Sequence, residues 1–191
     1  MAKKAAKKGA RKSARRVGAK SPAVAVLAAD IFEDLEAWYP ILRLREAGVN
    51  VTVVGAKKGE EYTGKHGLKL KADIASSTAR ASSFDGVFIP GGYAPDKMRR
   101  DAKMVKLVRD IFNKGGLVAS ICHGPWVLCE ADVLRGKNFT SVGAVKTDCV
   151  NAGGKFHNKP VIVDGNLITS RVPGDLPEMM PEVLKFLGVN G

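Results

Sequence analysis

The chain has 191 residues, enough for one domain with a sizeable core rather than two. Hydrophobic residues make up 45%, yet no apolar run approaches the roughly 18 residues of a membrane-spanning helix and no secretory signal core is present, so a membrane or secreted protein is not expected. The formal net charge of +12 is unevenly placed: nine of the 31 Lys and Arg side chains lie in residues 1–20, which hold no acid, and the remainder comes within three charges of neutrality.

Residues 1–21 therefore read as a basic tail, too poor in apolar side chains to fold alone. Three roles fit it. It can contact phosphate backbones of nucleic acid non-specifically and salt-dependently. It can be a solubilising extension. It can be an organellar transit peptide, although the bulky apolar residues of an amphipathic face are missing.

The α/β domain is expected over residues 22–191. Ala23–Ala28 is a continuous apolar run, the look of a buried parallel strand. Residues 34–47 carry helical spacing through Leu35, Trp38, Leu42 and Ala47, and Gly48 ends them. Val49–Val54 is a second strand and Leu68–Ala72 alternates as an edge strand. Gly86–Ile89 is a buried strand halted by Pro90-Gly91-Gly92, and Ala102–Asn113 is an amphipathic helix. Leu117–Ile121 and Trp126–Val133 predict a further strand and helix. Val161–Val163 and Leu167–Thr169 flank Asp164-Gly165-Asn166 as a hairpin, and Pro181–Leu187 is a closing helix. This alternation predicts a doubly wound α/β sandwich with a mostly parallel sheet. Ligand sites in such sheets gather at the carboxyl ends of strands, which singles out the segment after Ala28, Pro90-Gly91-Gly92, and Cys122.

The three cysteines, Cys122, Cys129 and Cys149, are an odd number without Cys-x-x-Cys spacing. Neither a disulfide framework nor a zinc site follows, and a reducing cytoplasm fits best. Cys129 reads as core and Cys149 has no diagnostic context. His66 and His157 read as surface residues, and Lys97, Arg99 and Arg100 as a solvated helix entry. Without Gly-x-Gly-x-x-Gly or P-loop spacing, no nucleotide cofactor is expected, and no other cofactor or metal is implied.

Cys122 stands at the apex of Ala-Ser-Ile-Cys-His-Gly-Pro, residues 119–125. Strand, sharp turn and helix meet there, with Ser120 and Gly124 as the small residues that relieve crowding in a nucleophile elbow. The following helix N-terminus favours a reactive thiolate with a pKa well below the usual value of about 8.5. The alternative is an inert buried cysteine. His123 can act as a base, or contribute mainly its backbone N–H, since adjacent side chains at an elbow tend to point apart. Gly91 and Gly92 permit close backbone approach to a ligand.

Four ordered blocks carry a family resemblance: Phe32-Glu33-Asp34-Leu35-Glu36 with Tyr39-Pro40; Ile89 to Asp96; Ala119 to Pro125; and Asn151-Ala152-Gly153 with Val163 to Arg171. From about Ala23 to Leu187 the chain resembles the PfpI family of intracellular proteases and stress proteins, within the superfamily of the parkinsonism-associated deglycase and the class I glutamine amidotransferases. The resemblance implies a flavodoxin-like sandwich and an oligomer built from dimers. It implies Cys122 as nucleophile with His123 beside it, and Glu36 as the acid that contacts the cysteine, with Glu33 as the alternative. Asp96 corresponds to an acid, often Glu in the family, that reaches the histidine across a subunit interface. Gly91, Gly92 and His123 supply backbone donors. The expected function is a cofactor-free cysteine enzyme acting on reactive dicarbonyls such as methylglyoxal or on glycated adducts. Intracellular peptidase activity, or a non-enzymatic redox-sensing or chaperone-like role, are the other readings. Neither a synthase domain nor a distal His–Glu pair accompanies the elbow, so a glutamine amidotransferase is disfavoured.

Overall fold

The structure is a computed structural model and describes residues 21–190; the basic tail read at residues 1–21 lies outside them except for Ser21. In chain order the elements are β1 (Ala23–Leu27), α1 (Asp34–Glu46), β2 (Asn50–Gly55), β3 (Glu61–Thr63), β4 (Lys69–Lys71), β5 (Ile74–Ala75), β6 (Gly86–Ile89), α2 (Ala94–Arg99), α3 (Ala102–Asn113), β7 (Leu117–Ile121), α4 (Pro125–Glu130), β8 (Asn138–Phe139), α5 (Lys146–Asn151), β9 (Lys155–Phe156), β10 (Val161–Asp164), β11 (Leu167–Ser170) and α6 (Leu176–Phe186).

Seven strands form one sheet in the order β10-β11-β7-β6-β1-β2-β5. All neighbours are parallel except β10 and β11, the hairpin expected around Asp164-Gly165-Asn166. The inner strands are apolar throughout because helices cover both faces: Val24 to Leu27, Val87 to Ile89 and Leu117 to Ala119 are all 0% exposed. From β1 the chain winds one way to β2 and β5, then returns to build β6, β7, β11 and β10 on the other side. The reversal falls between β1 and β6, so the loops leaving those two strands diverge and open a crevice.

Three sequence expectations need correction. Leu68–Ala72 does not edge the main sheet. Lys69–Lys71 pairs antiparallel with Glu61–Thr63 in a separate ribbon, and Ile74–Ala75 is the true edge. One buried side chain, Leu70, between two exposed lysines satisfies either placement. The helix expected over Trp126–Val133 ends at Glu130, where the chain reaches a left-handed turn at Asp132 with φ 53°. The last helix begins at Leu176, not at Pro181. Leu176, Met179, Met180, Val183 and Leu184 form one buried helical stripe that continues through the proline.

Helix α1 is set by acids at its start. Glu33 is its N-cap and accepts the Glu36 backbone N–H at 2.9 Å. The carboxylate of Asp34, 3% exposed, accepts the backbone N–H groups of His66 and Leu68, both at 2.8 Å. Gly64 closes on the same carboxylate, where a Cβ would stand 2.6 Å from it. Asp34 thus holds the 64–68 loop against the carboxyl end of the sheet. Asp34→Ala leaves both N–H groups without their acceptor, and a loss of about 1–3 kcal/mol is expected in denaturant melts. Amide exchange at His66 and Leu68 accelerates more than exchange in the central strands.

Candidate active site

The loop after β1 and the loop after β6 are stitched together. Glu33 N–H donates to Gly91 C=O at 3.2 Å, and Tyr93 N–H donates to Ile31 C=O at 2.8 Å. Ile31 takes φ 64° to make the turn. Gly92, at φ 74°, could not carry a side chain: a Cβ would lie 2.4 Å from Ile31 O and 2.5 Å from Glu33 N. This stitch brings the first turn of α1 over the crevice and turns Glu36 inward.

Cys122 follows β7 at φ 62°, the strained backbone of an elbow. Its backbone is held on both sides: its N–H donates to Ser170 C=O at 3.1 Å, and its C=O accepts from Val142 N–H at 3.2 Å. The small residues expected around it have a steric reason. A Cβ on Gly124 would meet Ser120 Oγ at 2.5 Å and Ile89 O at 2.6 Å.

Glu36 is 0% exposed and lies against the cysteine. Its Oε2 accepts the Gly91 N–H at 2.7 Å. Its Oε1 is buried without a hydrogen-bond partner among the described residues, and the carboxyl group as a whole lies beside the Cys122 thiol. Of the two acids left open by the sequence, Glu36 is therefore the one in the pocket, while Glu33 caps the helix. Gly91 does not offer its N–H to a ligand as expected, because Glu36 occupies it. A side chain at Gly91 would collide with Glu36 Oε2 at 2.6 Å and Cys122 Cβ at 2.7 Å. The backbone N–H groups of Gly92 and His123 instead lie near the cysteine sulfur and favour its charged form.

The His123 ring does not turn away from its neighbour. Its Nδ1 lies 3.3 Å from Cys122 Sγ, and the ring packs edge-on against Trp126 with centroids 5.6 Å apart. Burial, and then the nearby Lys65 ammonium, lower its pKa, so the imidazole is neutral near pH 7 and can accept the thiol proton. Lys65 also bears on Glu36. The sequence reading passed over this lysine, and its only trace there was its place between Gly64 and His66. Asp96 sits exposed in the first turn of α2. Within the chain its side chain has no hydrogen bond or ion pair among the described residues, and it does not meet His123.

The depressed thiol pKa expected of an elbow is not what this pocket produces. Burial, then the adjacent Glu36 carboxylate, push Cys122 up to about 12. The following helix is only six residues long and the cysteine is 8% exposed, so desolvation outweighs the helix terminus. Burial likewise raises Glu36 to about 8, against the opposing Gly91 hydrogen bond. Raised in this way, Glu36 holds its proton more firmly than a solvated carboxyl and sits beside the sulfur as a proton carrier. The arrangement brings a nucleophile, a proton carrier and backbone donors together at the carboxyl ends of β1, β6 and β7. Among the described residues no group of three or more His, Cys, Asp or Glu side chains is arranged to hold a metal ion. His66 is exposed as expected, 3.9 Å from Glu33. His157 is exposed but hydrogen-bonds Asn138 at 2.8 Å.

Glu36→Gln removes the carboxylate that raises the thiol and leaves an amide donor in its place. The Cys122 titration, followed by iodoacetamide labelling across pH, is expected to move downward in this variant. Labelling at neutral pH therefore becomes faster than in the unaltered protein, even as proton transfer is lost.

Residues 22–186 match the DJ-1/PfpI family. A deglycase of Pyrococcus abyssi is 45% identical over 164 residues, covering 86% of this chain and 98% of that protein. Protein/nucleic acid deglycase 2 of Escherichia coli K12 is 39% identical over 170 residues, covering 88% of this chain and 99% of that protein. Among solved structures, a two-domain protein of Anabaena variabilis with DJ-1/ThiJ/PfpI-like and ferritin-like domains superposes with a TM-score of 0.88 at 46% identity. The match covers 90% of this chain and 49% of that one. No helix among the described residues is long and apolar enough to cross a membrane.

Proposed function

Because the chain belongs to the DJ-1/PfpI family, we propose that it is a cysteine-dependent protective enzyme acting on reactive dicarbonyls or their early adducts. The observation that carries this reading is Glu36: a fully buried carboxyl beside Cys122, raised to about 8, with one oxygen fixed by Gly91 and the other without a hydrogen-bond partner among the described residues. A peptidase needs a base for the nucleophile. A dicarbonyl isomerisation needs in addition a group that removes and returns a proton on carbon, and a carboxyl poised near neutrality suits that task.

On methylglyoxal the steps run as follows. The Cys122 proton passes to His123 Nδ1, and the sulfur attacks the aldehyde carbon to form a hemithioacetal. The developing oxyanion is met by the Gly92 and His123 N–H groups. Glu36, ionised, takes the proton from the former aldehyde carbon, giving an enediol, and returns it to the neighbouring carbon. The result is a lactoyl thioester on Cys122. Water hydrolyses it to lactate, so that methylglyoxal and water are consumed and lactate is released. The same thiol attack on an early adduct would free the amine that carried it. Asp96, exposed on α2, orients His123 from a neighbouring subunit in the homodimer this reading includes.

Lactate formation by the purified protein tests the proposal. Cys122→Ser is expected to abolish it with the fold intact, and Glu36→Gln to lower it by about 100-fold or more. Glu33→Gln retains most of it, and Asp96→Ala lowers it through His123. Peptide hydrolysis without lactate formation would transfer the assignment to an intracellular peptidase.

The nine positive charges of residues 1–20 are part of the proposal, as an attachment to nucleic acid that brings this chemistry beside it. Such attraction rests on releasing counterions from phosphates. A chain starting at Ser21 is expected to keep its turnover and to lose DNA binding that the full chain shows at low salt and surrenders at moderate salt.

A further inference from the structure

Cys129 and Cys149 lie outside the chemistry proposed above, yet their sulfurs are 3.5 Å apart. Cys129 is in the last turn of α4, half-buried, and Cys149 is in α5, 0% exposed. Both are free thiols, 20 positions apart in sequence, and they meet because α4 packs on α5. The same two helices are joined by Trp126 Nε1–H donating to Asp148 Oδ2 at 2.6 Å. This contact holds the thiols in register from a neighbouring turn. From the present separation, a disulfide of about 2.05 Å needs the sulfurs to approach by about 1.5 Å.

We propose that Cys129 and Cys149 form a second redox site, a dithiol that hydroperoxides convert to a disulfide bridging α4 and α5. The two cysteines have distinct parts. Cys129 is the accessible one and lies near the Arg99 guanidinium, which also pairs with Glu130 at 3.2 Å. A hydrogen bond from Cys149, with help from Arg99, lowers the Cys129 thiol, whereas Cys149, buried and near Asp148, keeps its proton. The Cys129 thiolate attacks one oxygen of hydrogen peroxide. The O–O bond breaks, hydroxide leaves and Cys129 becomes a sulfenic acid. The Cys149 sulfur then attacks the Cys129 sulfur, forming S–S as the S–O bond breaks. The Cys149 proton leaves with the departing oxygen as water. In sum the two thiols lose two electrons and two protons, and the peroxide becomes two waters. The bridge ties the helix that begins at the nucleophile elbow to α5, so it stiffens the support of Cys122 without involving its sulfur.

The test treats the full chain with hydrogen peroxide, blocks remaining thiols by alkylation and maps peptides. Cys122 and Cys129 share a tryptic peptide, so Cys122→Ser makes the assignment unambiguous. A Cys129–Cys149 cross-link in both proteins, lighter by two hydrogen atoms and reversed by dithiothreitol, is the expected result. It should be accompanied by a rise in melting temperature that reductant abolishes. Cys149→Ala should lose both the cross-link and that rise while keeping the turnover of the reduced protein. The proposal is overturned if Cys129 and Cys149 remain alkylatable while Cys122 oxidises, or if Cys129 proceeds to sulfinic acid with Cys149 untouched. A cross-link through Cys122 overturns it as well. None of these readouts depends on which substrate Cys122 serves.

Discussion

One backbone N–H, that of Gly91, holds the arrangement on which the rest of the site depends. It fixes a carboxyl group that no water reaches, at 2.7 Å. Burying a carboxyl with an unpaired oxygen is costly, and the backbone bond to the other oxygen offsets part of that cost. The bond can form only if residue 91 lacks a side chain and residue 92 accepts a left-handed backbone. It further requires that the loops after β1 and β6 be stitched across the crevice. Local steric demands at two glycines thereby become a statement about proton affinity at Glu36.

The sheet supplies the place for this bond. Strands β1, β6 and β7 end at the same edge, and the reversal of winding between β1 and β6 leaves room there for α1 to dip in. Cys122 arrives from the third strand with its own strained backbone. Three separate chain segments meet although each is short, because parallel strands deliver their carboxyl ends to one side. The chemistry lies in loops, and the precision comes from strands that are fully buried.

Most of the architecture was legible because its signals are strong. The apolar runs at Ala23–Ala28 and Gly86–Ile89 read as buried strands, and the apolar stripe of Ala102–Asn113 matches the observed helix α3. The short elements were not legible. Strands of two or three residues such as β5, β8 and β9 carry too little periodicity to stand out, and α5 has only six residues. At the site, Cys122 and its small neighbours could be read from local pattern, whereas the choice between Glu36 and Glu33 could not. Both acids sit at the start of one helix, and only the turn at Ile31 decides which faces inward. The thiol's proton affinity was misread for a related reason: pattern shows a helix terminus but not the depth of the sulfur. Lys65, Cys129 and Cys149 gain meaning only through contacts between distant segments.

The backbone hold on Cys122 by Ser170 has a consequence for how the protein is made. Strand β7 takes its outer neighbour from β11, which follows it in the chain only after α4, α5 and the short strands between them. Until then β7 presents an unpaired row of amide groups, and the elbow lacks one of its two anchors. A nascent chain that has already exposed the thiol is thus neither catalytically assembled nor protected along that strand, and open strands of this kind invite pairing with other chains. Competence therefore waits until the hairpin of β10 and β11 docks, well after the segment that carries the sulfur has been made.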